Sequence, residues 1–179
     1  AYNTAVGFEA GNDITTATRD TLIGGLAGDA LTTGSYNVAV GYTSLGATTT
    51  GASNVAVGDA ALSSNTTAGS NTAVGAAALA ANTTGSYSTA VGQNALTAAT
   101  TGGYNTAVGQ GSLAATTTGA TNVAVGVDAL VTNTTASNNT AVGYIALKMN
   151  TTGSLNAALG GDTLKVNTTG AQNVAVGMY

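Results

Sequence analysis

The chain contains no cysteine, histidine, proline or tryptophan, and it has only three basic residues among 179. The absence of cysteine excludes a disulfide framework and thiolate metal sites. Without histidine or cysteine, the usual groups for acid–base catalysis, nucleophilic catalysis and transition-metal binding are missing. We therefore predict a protein that is not an enzyme and that carries no cofactor and no metal.

Charge is also scarce, because Asp, Glu, Lys and Arg together make up 6% of the chain and the net charge is −4. The basic residues Arg19, Lys148 and Lys165 are too few and too scattered for the clustered basic face that nucleic acid requires. They are equally unsuited to an electrostatic membrane anchor. No apolar run approaches the roughly 18 residues of a membrane span. We expect no nucleic-acid partner and no membrane insertion by this segment.

What the chain does contain is a repeat. The pentapeptide NVAVG at 37–41 returns in variant forms every 17 residues, in eleven copies from Asn3 to Gly177, with no insertion or deletion. Counting the first residue of each copy as position 0, position 2 is nearly always Ala, position 3 is nearly always Val, and position 4 is always Gly. Position 8 is Leu from the third copy onward, and positions 12 and 13 are Thr-Thr in every complete repeat. So strict a period predicts a solenoid.

The repeat predicts an all-β fold, a parallel β-roll or β-solenoid with one 17-residue coil per repeat. Val or Thr at position 1 and Val at position 3 alternate with Ala, which is typical of a strand. The Ala-Leu pair at positions 7 and 8 predicts a second short strand, and Thr-Thr-Gly predicts a turn. Like residues should then stack into columns. The predicted structural ladder consists of Val40, Val57, Val74, Val91, Val108, Val125 and Val142, and of Leu62, Leu79, Leu96, Leu113, Leu130 and Leu147. We expect the Asn at position 0 to form an amide ladder as well.

The first two repeats depart from the pattern. Gly11 and Gly28 stand where Leu is expected, while Ile14 and Leu31 appear at position 11. We therefore divide one continuous domain into degenerate repeats at 1–36 and regular repeats at 37–179. The departure indicates either decay of the repeat or a junction where the coil changes path.

One Val and one Leu per coil bury too little apolar surface to offset the ordering of 17 residues. If these side chains fill the interior, the Ala side of the strand stays outside as a stripe of small residues that another backbone can approach. We therefore expect a homo-oligomer, most simply a homotrimer. Because neither end carries a cap, we expect either a window on a longer fibre or coils that stack end to end into a filament.

Three surface features have alternative interpretations. Asn-x-Thr acceptor sequences at Asn65, Asn82, Asn133, Asn138, Asn150 and Asn167 indicate either glycosylation or structural Asn turns. The threonine column is either a turn ladder or an ice-binding hydroxyl array, and only one Thr per coil can face water. The tyrosines at positions 5 and 16 are either surface packing or contacts to glycans. The seven acidic residues form no pair stacked in adjacent coils.

The motif NTAVGxxALxxNTTG resembles repeats of bacteriophage tail fibres and large bacterial surface proteins. Its VAVG core is similar to the head repeats of YadA-like trimeric autotransporter adhesins, although those repeats are shorter. The resemblance covers 3–177 and implies a trimeric, left-handed parallel β-roll that is extracellular, on a virion tail fibre or a bacterial cell surface. We expect a structural segment of a fibre, acting as a rigid shaft or adhesive head. The alternatives are a module that binds host-surface glycans and an ice-binding solenoid.

Overall fold

A computed structural model describes residues 2–178, and within them the chain forms a β-solenoid of eleven short parallel strands. Each strand has three residues and occupies positions 1–3 of its coil. The strands are β1 Thr4–Val6, β2 Thr21–Ile23, β3 Val38–Val40, β4 Val55–Val57, β5 Thr72–Val74, β6 Thr89–Val91, β7 Thr106–Val108, β8 Val123–Val125, β9 Thr140–Val142, β10 Ala157–Leu159 and β11 Val174–Val176. The predicted all-β solenoid with one coil per repeat is confirmed.

The sheet follows chain order from β1 to β11, and every pair of neighbours is in the same register. Val40 pairs with Val57, and Val57 pairs with Val74. The register continues through the degenerate repeats, because Ile23 of β2 pairs with both Val6 and Val40. The coil therefore does not change path within 2–36.

The orientation of the strand is the reverse of our expectation. The alanines at position 2 of β3 to β10 are fully buried, and the valines at position 3 face outward. Val91, for example, keeps 37% of its surface exposed, whereas Ala90 has none. The interior is filled by Ala from position 2 and Leu from position 8, as in Ala56 and Leu62. The predicted outer stripe of alanine is therefore wrong, because the interior of a 17-residue coil is narrow enough for alanine to fill it.

The second predicted strand is also wrong. Positions 5–10 form turns instead, and the backbone at positions 6 and 8 is left-handed, with φ 54° at Ala60 and 52° at Leu62. In this coil the N–H of Ala61 donates to Gly58 O at 3.3 Å and that of Asn65 donates to Leu62 O at 3.1 Å. The N–H of Leu62 donates instead to Ala78 O in the next coil, at 3.0 Å. Hydrogen bonds between the turns of neighbouring coils therefore join the coils where a second strand was expected.

Glycine at position 4 is required by both conformation and space. Gly75 has φ 131°, and a Cβ on it would lie 2.6 Å from the carbonyl carbon of Gly92 in the next coil. A side chain here would meet backbone, which cannot move aside. This explains why position 4 is glycine in all eleven copies, including the degenerate ones.

Candidate functional site

Most buried polar side chains of residues 2–178 lie in two columns inside the coil, at positions 0 and 11. In the position-0 column, Asn37 Oδ1 accepts from the Asn54 backbone N–H at 3.0 Å and from Asn54 Nδ2 at 3.2 Å. Asn54 Nδ2 also donates to the carbonyl of Ala68, at position 14 of its own coil, at 2.9 Å. The predicted Asn ladder is confirmed, and it satisfies backbone groups that the coil would otherwise bury without partners.

The second column lies at position 11 and contains most of the predicted glycosylation sites. Asn82 Nδ2 donates to Asn65 Oδ1 and to Gly85 O, both at 3.0 Å. Four coils further along, Asn150 Nδ2 makes the same two bonds, to Asn133 Oδ1 at 3.0 Å and to Gly153 O at 2.8 Å. The side chains of Asn65, Asn82, Asn133 and Asn150 are fully buried, and Asn167 donates to Asn150 Oδ1 at 3.1 Å. In the folded coil the amides of Asn65, Asn82, Asn133 and Asn150 are buried and hydrogen-bonded, whereas Asn167 is half-buried.

Asn138 differs from the other five acceptor sequences. It lies at position 16, where the side chain is exposed and the backbone is left-handed, with φ 61°. It is the acceptor residue that the fold leaves open to solvent.

The run of Asn at position 11 is interrupted at Ala99 and Thr116, and the interruption leaves a defect. Ala99 occupies the position above Asn82, so no amide donates to Asn82 Oδ1, which is buried without a hydrogen-bond partner. The sequence signal of this defect is Ala99, which stands where the coil before it has Asn82. The repeat pattern alone did not predict the unpaired oxygen.

Asp20 is the buried ionisable group of the chain, and it occupies position 0 where other coils have Asn. Its Oδ1 accepts from the Asn37 backbone N–H at 2.8 Å and from Asn37 Nδ2 at 3.2 Å, while Oδ2 is buried without a partner. Burial raises the pKa of this carboxyl, and the two bonds from Asn37 only partly oppose the rise. The carboxyl is an imperfect replacement for an amide, and no second ionisable side chain is bonded to it.

The threonine pair separates into one inner and one outer column. The hydroxyl at position 12 donates to the backbone carbonyl of position 12 in the next coil, as Thr66 Oγ1 does to Thr83 O at 3.1 Å. At position 13 the side chains are exposed in all ten complete repeats, as at Thr67 and Thr84. The expectation that one Thr per coil faces water is confirmed for the eight coils from Thr32 to Thr152, whereas both threonines are exposed at 15–16 and at 168–169.

The aromatic residues lie at the two borders of the outer sheet face. Tyr87 and Tyr104 at position 16 stack with ring centroids 5.1 Å apart and planes at 14°. The guanidinium of Arg19 lies 5.2 Å from the ring centroid of Tyr36 at the same position and donates to its hydroxyl at 2.6 Å. Tyr42 and Tyr144 lie at position 5 on the opposite border and are exposed.

The acidic side chains of residues 2–178 are scattered over the coils. No three Asp, Glu, His or Cys side chains there come together as metal ligands. Two open depressions beside the last coil are lined by Asp162, Leu164 and neighbouring residues, and Lys165 forms an ion pair with Asp162 at 2.7 Å. Within the same residues there is no helix able to cross a bilayer.

The fold defines this chain as a β-solenoid repeat protein. No protein-family model matches it. Searches of curated proteins and of solved structures likewise give no significant match.

Proposed function

We propose that this chain is a shaft segment of an extracellular fibre, a rigid non-catalytic spacer in which several copies run side by side. The observation that supports it best is the unbroken register of eleven strands, in which each coil repeats the hydrogen bonds of the one before. Ten coil-to-coil steps at the usual strand spacing span about 48 Å. Such a rod sets a distance between whatever lies at its two ends.

The interior chemistry favours this role as well. The Asn column at position 0 and the Thr hydroxyls at position 12 bond each coil to the next, so neighbouring coils cannot slide by one residue without breaking both sets. The resemblance of the repeat supports a location on a virion tail fibre or a bacterial cell surface and an assembly of three copies around one axis. These assignments belong to the same proposal.

Deletion of whole coils tests the shaft function. Removing 71–87 joins Ser70 to Ser88 in phase, and removing 71–104 takes out a second coil. For a spacer we expect the maximum dimension in small-angle X-ray scattering to fall by about 4.8 Å and 9.6 Å respectively. The far-UV circular dichroism per residue should stay the same.

A duplication of 71–87 is the matched control, and it should lengthen the rod by the same step. Loss of folding after deletion of a single in-phase coil would contradict the proposal, since a spacer tolerates a change in repeat number. A dimension that does not follow the number of coils would contradict it too.

A further inference from the structure

We propose that copies of this chain associate in parallel and in register through the outer face of the sheet. This surface, called here the valine face, consists of the outward side chains at positions 1 and 3 of β2 to β10. The inference rests on the proposed shaft function, which requires companion chains but does not say where they meet.

Position 3 of the valine face is a continuous apolar column along the rod, and position 1 is Thr in five of the nine strands. Position 3 carries Val in seven of the nine strands β2 to β10, with Ile23 and Leu159 at the two ends. Seven of these nine side chains keep between 36% and 44% of their surface exposed, for example Val108 and Leu159. Val40 and Val57 are partly exposed. Position 1 carries Val, Thr or Ala, partly exposed. A soluble protein seldom leaves so long an apolar strip uncovered.

Charged residues are absent from the valine face, although the chain has ten of them. No copy has Asp, Glu, Lys or Arg at position 1 or 3. Most charges lie on the turns at positions 6, 9 and 10, on another part of the coil. The borders of the face carry only Arg19 and Asp59. Depletion of charge at the centre of a patch is a property of protein–protein interfaces.

The aromatic residues have the opposite distribution. All of those in residues 2–178 lie at position 16 or 5, which border the valine face, and they are Tyr2, Phe8, Tyr36, Tyr42, Tyr87, Tyr104 and Tyr144. Aromatic side chains are enriched at interfaces. The face therefore has an apolar centre between two borders that contain aromatic residues.

A second copy of this chain is the occupant that the repeat favours. The face presents the same side chains once per coil, at the strand spacing of about 4.8 Å. Another copy has that spacing too, so every coil can make the same contact along the whole rod. A stable interface needs about 800 Å² per partner, or roughly 90 Å² for each of the nine coils of the face. One exposed valine edge, part of the position-1 side chain and one border residue can supply that area.

Cysteine substitution tests the inference directly, because the chain has no native cysteine. Val57→Cys lies on the valine face in β4, away from the middle strand β6. Parallel, in-register copies bring this thiol next to its own equivalent, so mild oxidation should give a disulfide-linked dimer. The matched control is Thr67→Cys, which is exposed at position 13 of the same coil and should stay unlinked.

Each other outcome overturns the inference or part of it. If neither variant links, or if Thr67→Cys links as readily, the valine face is not the contact surface. If Val57→Cys links only when mixed with Val125→Cys in β8, the copies run antiparallel and the parallel arrangement is wrong.

A second pair of variants measures association without cross-linking. The set Val57→Lys, Val91→Lys and Val125→Lys brings like charges together in an associated rod. The control set Thr67→Lys, Thr101→Lys and Thr135→Lys places the same charges at position 13 of the same coils. By sedimentation equilibrium, the valine set should raise the apparent dissociation constant at least about a hundredfold and the control should not.

The two proposals can fail separately. A wild-type chain that sediments as a monomer, or a valine set that associates as well as the control, overturns the inference about the face. The deletion series would still report whether the monomer is a rod whose length follows its repeats. If the lysine set does not fold, the single cysteine variant still decides the question.

Discussion

The second coil, 20–36, and a regular coil such as 54–70 follow one backbone path but fill it with different side chains. The second coil has Leu22 at position 2, Gly28 at position 8 and Leu31 at position 11, and both leucines are buried. The regular coil has Ala, Leu and Asn at these positions. A Cβ on Gly28 would lie 2.9 Å from Leu22 Cδ2, so Leu22 occupies the space that the position-8 leucine fills elsewhere. In the second coil, leucines at positions 2 and 11 fill the interior that a leucine at position 8 fills in a regular coil. The backbone hydrogen bonds between coils are the same in both.

The exchange also has a conformational side. A leucine at position 8 adopts left-handed φ, which costs roughly 1–2 kcal/mol for a residue with a side chain. Burying that leucine contributes about 1.5–3 kcal/mol, so the regular arrangement remains favourable. Gly28 adopts the same φ, 55°, without that cost, and the burial comes from Leu22 and Leu31 instead. The comparison shows that position 4 is constrained by the backbone, whereas positions 2, 8 and 11 share one interior volume and position 11 also makes hydrogen bonds where it is Asn.

The largest loss of stability is expected from a substitution at position 4, which is Gly in both kinds of coil. Gly75→Ala puts a Cβ 2.6 Å from the backbone of the next coil at φ 131°, and we expect a loss of about 3–5 kcal/mol in unfolding free energy. The control is Gly46→Ala at position 9, where other coils carry Ser63 or Ala80. Urea unfolding monitored by circular dichroism measures both. Equal midpoints for the two variants would show that position 4 is not the constraint.

A smaller effect should follow from forcing one regular residue into the second coil. Gly28→Leu over-packs the space held by Leu22, and we expect a loss of about 1–3 kcal/mol in unfolding free energy. The triple variant Leu22→Ala, Gly28→Leu and Leu31→Asn reproduces a regular coil and should recover most of that loss. Thermal unfolding of the two variants compares them. A triple variant as unstable as the single one would refute exchange of volume as the reason for the degenerate pattern.

The smallest change in stability is expected from the position-0 column, where Asp20 replaces Asn in the second coil. Because burial raises the pKa of Asp20, its contribution to stability is fully present below the ordinary carboxyl pKa of 3.8 and is lost as pH rises through the folded-state value. Asp20→Asn should remove this loss and stabilise the chain at pH 7 by about 1–2 kcal/mol, since an amide can donate to the Gly34 carbonyl.

Urea midpoints measured from pH 3 to pH 8 test this dependence. Asp59→Asn is the control, because Asp59 is exposed at position 5 and no other coil depends on its charge. If wild type and Asp20→Asn show the same change of midpoint with pH, Asp20 is not its source.

The period made the architecture predictable, because a fixed 17-residue step places identical residues above one another whatever the path within a coil. The Asn column followed from the same step. Which face of the strand turns inward could not be predicted, because alternation of Ala with Val shows that two faces exist but not which one is inside. The hydrophobicity of valine suggested the wrong face, since a 17-residue coil has room inside for Ala39 but not for a column of Val40 and its equivalents.

The remaining errors have local causes. Leu62 was expected in a strand because its neighbours suit one, but left-handed φ at Ala60 and Leu62 turns the chain twice within three residues. Asn65 and its equivalents matched an acceptor sequence, and nothing in that sequence distinguishes an exposed amide from one that donates into the coil. The unpaired Oδ1 of Asn82 depends on Ala99, seventeen residues away, so it becomes evident only when coils are compared one above another.

The distance in sequence between bonded residues has a consequence for how the molecule forms. Nearly every long-range bond joins residues 14 to 18 apart, so no pairing has to wait for a remote part of the chain. Once one coil has closed, each following coil can add to it as a zipper closes, and the entropy of loop closure is the same at each step. A chain with twice as many repeats should add its coils at the same rate and take about twice as long to finish.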